Sequence, residues 1–172
     1  MLLSIENLSI TFAQQEGVVS AVDNVSLQIG KGEILAVVGE SGSGKSLTAL
    51  SILRLLPPAA KGSGKITFDN EVLSDLPESA MRAIRGGRIS MIFQEPMTAL
   101  NPLHSIGKQM REVLRLHQDQ LEKLPKSDEA AAPFNIEERV QALLEEVGLS
   151  KLRNRLDQYP HELSGGERQR VM

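Results

Sequence analysis

The chain has no cysteine in its 172 residues. Disulfides and thiolate metal sites are therefore excluded. It has no excess of positive charge either: 19 Lys+Arg stand against 22 Asp+Glu, a net charge of −3. Without a basic footprint, nucleic acid is not an expected partner. No apolar run reaches bilayer length, and "MLLSIENLSITF" lacks the basic start and long apolar core of a secretory signal. These absences point to a reducing compartment, the cytosol, with membrane association only through partner proteins. There is no internal repeat and no coiled-coil heptad run. The 41% hydrophobic and 24% charged content is an ordinary globular balance, at the length of one domain.

The first third of the chain reads as β-sheet. "LLSIENLSI" is a candidate strand, and Val25, Leu27 and Ile29 in "NVSLQI" share one face at period two. "GKGE", residues 30–33, is a turn. "ILAVV", residues 34–38, is apolar throughout, the pattern of a strand buried on both faces of a parallel sheet. A glycine-rich loop follows, then a helical pattern in "KSLTALSILRLL", stopped by Pro57 and Pro58. "KITF" (65–68) and "RISMIF" (88–93) read as further strands, with a short helix in "LPESAMRAI" between them. "QEPMTALNPLH" is a loop. Beyond it Ile106, Met110, Val113, Leu114 and His117 share a helical face. Residues 119–133 are polar and Ala-rich, the composition of a surface insertion. Ile136, Val140, Leu143, Leu144 and Val147 form a second apolar stripe, with Gly148 as its C-cap. The sum is an α/β nucleotide-binding core with an inserted helical subdomain.

Two segments carry chemistry. "GESGSGKS", Gly39 to Ser46, fits G-x-x-x-x-G-K-[ST] between a strand pattern and a helix pattern. Gly42 and Gly44 let the backbone wrap an anion, whose phosphates meet loop amides and the positive end of the helix. Lys45 would contact β- and γ-phosphates, and the Ser46 hydroxyl would ligate Mg²⁺. The bland alternative is an ordinary glycine-rich turn, which the complete motif disfavours. Near the other end, "LSGGERQR" sets Ser164, Gly165 and Gly166 ahead of a helix start. Ser164 with Glu167 makes a capping box, and a capped helix end can also face a phosphate. Between them lies Gln94, at the end of a strand pattern, with a carbonyl oxygen able to reach Mg²⁺ or an attacking water.

"GESGSGKS", "FQEPMTALNP" and "LSGGERQR", in this order, resemble the Walker A loop, Q-loop and signature motif of ABC transporter ATPases. The chain is similar to the peptide/nickel importer branch, through "FQEPMTALNP", "GVVSAVDNVSLQI" and "ALSILRLLP". It most resembles the N-terminal half of tandem peptide-importer ATPases. The resemblance implies a P-loop NTPase fold of the ABC type, with 1–94 as the β-rich and P-loop core, 95–163 as Q-loop and helical subdomain, and 163–172 as the start of the signature segment. It implies that Gly39, Glu40, Ser41, Gly42, Ser43, Gly44, Lys45, Ser46 and Leu47 bind ATP, and that Ser46 and Gln94 meet Mg²⁺. Leu163, Ser164, Gly165, Gly166 and Glu167 would touch the ATP held by a second ABC ATPase domain, whether an identical copy, a paralogue or a tandem half. Residues 95–102 would lie near transmembrane permease subunits, which a periplasmic or extracellular solute-binding protein serves. Phe12 falls about where the family stacks an aromatic on adenine; a core role at a strand end is the alternative. The implied location is peripheral, on the cytoplasmic face of a bacterial inner membrane.

The family also carries a strand ending in Asp-Glu, a D-loop and a switch histidine. No apolar strand followed by Asp-Glu occurs in residues 1–172, and His104, His117 and His161 all precede the signature segment. On this reading the chain is a fragment, C-terminally incomplete, that binds ATP without hydrolysing it. A soluble ABC ATPase of DNA repair or translation, a P-loop kinase and a non-catalytic remnant are the competing readings. Missing coiled coils and basic charge count against the first, and "LSGG" counts against the kinase.

Overall fold

The computed structural model describes residues 1–14, 17–93, 99–121 and 134–172. It divides into two compact units, Met1–Ile89 and Ser90–Met172.

The first unit is built on a four-stranded antiparallel sheet of order β2-β1-β3-β4. The strands are β1 (Leu3–Gln14), β2 (Gly17–Ile29), β3 (Ala60–Phe68) and β4 (Glu71–Val72). Two helices accompany them, α1 (Lys45–Ile52) and α2 (Glu78–Ile84). β1 lies between β2 and β3, and its Ile5, Leu8 and Ile10 are buried with Val22, Ile66, Leu73, Met81 and Ile84. The pairing of β1 with β2 is interrupted between Ile5 and Leu8 and again between Leu8 and Ile10. Serine hydroxyls take two amides at these breaks: Asn7 donates to Ser26 Oγ and Asn24 to Ser9 Oγ, each at 2.9 Å. The breaks therefore leave those polar groups satisfied.

Two expected strands are corrected. Residues 34–38 join no ladder, and Ile34 and Val38 are 97% and 88% exposed. Residues 88–93 form no strand; a single bridge joins Arg85 to Ile89. A strand is held by a neighbour that takes its amides and carbonyls. Among the described residues no ladder partner reaches 34–38, and 88–93 has only that bridge, so apolarity alone does not make either segment a strand. The expected parallel sheet is thus absent from the described residues. The helix read over 45–56 is also shorter, ending at Ile52. Arg54 at φ 53° turns the chain before the prolines are reached.

The second unit is helical: α3 (Ile106–Leu116), α4 (Gln118–Leu121), α5 (Ile136–Glu146) and α6 (Gly165–Val171), with 3-10 turns at Ser150–Arg155 and Pro160–Glu162. Ile106, Leu114, Val140, Leu144, Leu149, Leu152 and Leu163 form its core. α3 is rotated from the expected stripe: Gly107 is buried, whereas Val113 is 56% exposed. The cause is a backbone docking, Ile106 N–H to Gln158 O and Gly107 N–H to Leu156 O, both 2.8 Å. Arg111 grips Glu137 with two hydrogen bonds of 2.6 and 2.9 Å, joining α3 to α5. Asn135 caps α5 by accepting from Glu137 and Glu138. At its far end Gly148 N–H meets Glu145 O and Leu149 N–H meets Leu144 O, the pairing of a Schellman cap. Among the described residues no helix is long and apolar enough to cross a membrane.

Candidate functional site

The glycine-rich loop connects the exposed 34–38 segment to α1. A short turn opens it, with Ser43 N–H donating to Glu40 O at 3.2 Å. Gly42 and Gly44 have φ of 82° and 87°, the left-handed region that side chains resist. Gly44 is also buried against β2: a Cβ there would stand 2.6 Å from Ala21 O and 2.7 Å from Val22 Cγ2. β2 thereby seats the start of α1. Nothing local in the sequence announces Ala21 and Val22 as part of this site, because the contact joins distant segments.

The helical hydrogen-bond register starts late. Thr48 N–H donates to Gly44 O at 2.9 Å, and Thr48 Oγ1 donates to the same oxygen at 3.1 Å. The amides of Lys45, Ser46 and Leu47 precede that first bond and lie at the positive end of the helix. Lys45 curls back over the loop. Its Nζ donates to Gly39 O at 2.9 Å, Glu40 O at 2.6 Å and Ser43 Oγ at 3.2 Å. A cation and three first-turn amides thus converge beside a loop whose residues 39–43 are all exposed. The donors present suit a polyphosphate. Among the described residues no group of His, Cys, Asp or Glu could hold a metal. The Ser46 side chain is exposed in the first turn of α1.

The segment 163–167 belongs to the second unit. Leu163 is 3% exposed in that unit's core, which anchors the turn. The capping box forms as expected: Glu167 N–H donates to Ser164 Oγ at 3.3 Å, and Ser164 N–H to Glu167 Oε2 at 2.9 Å. Gly165 and Gly166 are exposed, with nothing within 4 Å of a Cβ at either position. The Ser164 amide and then its hydroxyl hold the Glu167 carboxyl below its ordinary value of 4.5. A carboxylate favoured by the folded state stabilises it above the unfolded pKa, and that contribution fades as pH falls through the folded pKa. Acidification from pH 6 to below the ordinary carboxylate range should therefore fray α6 in the native chain. A Glu167→Gln variant should show less of this loss. Amide NMR shifts of residues 164–168 against pH provide the check.

Of the other expected site residues, Phe12 lies on β1 opposite Val19 and Ala60 and packs against the first unit's core. Leu47 also packs against that core. Gln94 and residues 95–98 lie outside the described residues, as does most of the insertion read over 119–133.

The ABC transporter family model matches residues 22–172, from Val22 behind Gly44 through the phosphate loop and the 163–167 turn. The chain belongs to the ABC transporter family. Among ABC proteins, it is 53% identical over 173 residues to the peptidoglycan transport ATP-binding protein YejF of Agrobacterium fabrum, covering 99% of this chain and 30% of that one. It is 45% identical to the dipeptide transport ATP-binding protein DppD of Bacillus subtilis, covering 99% of this chain and 48% of the relative. The chain thus spans less than half the length of these ABC relatives. A solved dimeric structure of the ATP-binding cassette MJ0796, in a post-hydrolysis state bound to ADP and Pi, matches with TM-score 0.75 and 28% identity. That match covers 99% of this chain and 66% of the cassette. The chain is therefore a P-loop NTPase of the ABC type, covering part of an ABC domain.

Proposed function

We propose that this chain is the ATP-binding, energy-coupling part of an ABC importer for peptides or related small cargo. The observation that carries the reading is the Gly39–Ser46 loop, which brings Lys45, the Ser46 hydroxyl and the first-turn amides of α1 together beside exposed residues 39–43. The triphosphate lies along those amides, with Lys45 turned from its carbonyl partners to the β- and γ-phosphates. Mg²⁺, held by Ser46 and Gln94, offsets phosphate charge. Leu163 to Glu167 present the Ser164 turn to the nucleotide of a second ABC domain, an identical copy, a paralogue or a tandem half. The dimeric form of MJ0796 and the peptide-transport names of the relatives support this assignment. Residues 95–102 face permease subunits at the cytoplasmic side of a bacterial inner membrane, and a solute-binding protein delivers the cargo.

Among the described residues no strand ends in Asp-Glu, the pair that would position metal and water. The 172-residue polypeptide is expected to bind ATP with Mg²⁺ but to show no steady turnover. Calorimetric titration and a phosphate-release assay test both halves. No binding at millimolar ATP would overturn the ATP reading. Turnover that vanishes in a Lys45→Ala control would overturn the inactive one.

A further inference from the structure

We propose that Arg85 is a positioning residue for the phosphate-binding helix, holding the trailing end of α1 so that its leading amides stay aimed at phosphate. The inference rests on the ATP reading above. Arg85 follows α2 directly, yet its side chain reaches back to the C-terminus of α1. Its Nε donates to Leu53 O at 2.8 Å, and one Nη donates to Arg54 O at 3.5 Å. Leu53 is the C-cap of α1, so these carbonyls are among those a helix end leaves without partners. The other Nη binds Glu78 Oε1 at 2.6 Å. One planar guanidinium thus spans two carbonyls and a carboxylate, a geometry that Lys cannot reproduce.

The neighbouring contacts point the same way. Arg54, in the left-handed region at φ 53°, donates to Leu76 O just ahead of α2. Arg85 is only 22% exposed at its side chain, whereas Glu78 is 49% exposed and Arg82, its other partner at 3.8 Å, is 78% exposed. Arg85 is therefore the covered member of the cluster. α1 has eight residues, about 12 Å of helix. Its leading end is seated by Gly44 on β2 and its trailing end by Arg85. A rod so short, released at one end, tilts at the other. A cation at the carbonyl end also lowers the negative potential there, which leaves the amide end more attractive to anions.

The test uses the full chain. Titration with ATP and Mg²⁺ and hydrogen exchange are run on wild type, Arg85→Ala, Arg85→Lys, Glu78→Gln and the control Arg82→Ala. Arg85→Ala should weaken ATP affinity about fivefold, the scale of a helix-terminus charge contact. It should speed exchange at α1 amides about tenfold while leaving the β1–β3 ladder protected. Arg85→Lys should recover part of both, Glu78→Gln should fall between, and Arg82→Ala should change neither. If Arg85→Ala does not fold, Glu78→Gln decides: unchanged α1 exchange and ATP affinity in that variant overturn the proposal. Unchanged affinity and α1 exchange in a folded Arg85→Ala overturn it, and so does loss of protection spread equally over sheet and helix. Wild-type chain that ignores ATP removes the ATP reading and this role with it. Normal wild-type binding with an unaffected Arg85→Ala removes this role alone.

Discussion

Lys45→Ala should weaken binding of ATP with Mg²⁺ by about a hundredfold while leaving the sheet intact. The side chain has no packing role to lose. It is half-exposed and ends in hydrogen bonds to Gly39 O, Glu40 O and Ser43 Oγ. Those acceptors hold the ammonium at the mouth of the loop, within a short swing of any anion lying on the first-turn amides. Hydrogen bonds to charged groups contribute about 1.5–3 kcal/mol, so losing the contact with phosphate accounts for most of the effect. Lys45→Arg should recover little, because a planar fork does not match the three acceptors that locate a compact ammonium. Equilibrium titration gives the affinity and thermal unfolding gives the control. Wild-type affinity in a folded Lys45→Ala chain would remove the loop from the binding site.

Gly44→Ala should be the more damaging of two glycine substitutions in the same loop. Both Gly42 and Gly44 sit at positive φ, which costs an L-residue roughly 1–2 kcal/mol. At Gly42 a methyl enters open space, with nothing within 4 Å. At Gly44 it meets a backbone carbonyl, Ala21 O at 2.6 Å, and Val22 Cγ2 at 2.7 Å. Val22 belongs to the buried core, so neither neighbour can swing aside. Overpacking of this kind adds about 1–3 kcal/mol, and α1 must lift from β2 to relieve it. Gly44→Ala is therefore expected to lower stability by roughly 2–5 kcal/mol and Gly42→Ala by roughly 1–2 kcal/mol. Urea unfolding of both variants separates the contributions. Equal losses would show that backbone conformation alone governs the loop and that its seat on β2 does not matter.

Legibility in the sequence followed the range of the forces involved. The phosphate loop, the capping box of Ser164 with Glu167 and the cap at Gly148 were all readable, because each is closed by residues within a few positions of one another. The candidate strand in "LLSIENLSI" and the period-two run at 24–29 marked β1 and part of β2. The pattern at 34–38 was misleading for a specific reason. Apolarity says that a segment would gain from burial, but a strand also needs partners for its backbone, and those come from elsewhere in a chain. Among the described residues none reaches Ile34 or Val38.

The sequence by itself determined the family, through the order of glycines, Lys45 and Ser46 and the segments that follow it. Its local caps and apolar periods likewise set most helix positions. Only the tertiary structure decided that Gly44 is pressed onto β2, that Arg85 closes the far end of α1, and that α3 turns Val113 outward as Gly107 docks on Leu156. Each of these joins residues far apart in the chain. Local propensity carries no information about such contacts; they are chosen by which surfaces exclude water together and which carbonyls are left needing a donor.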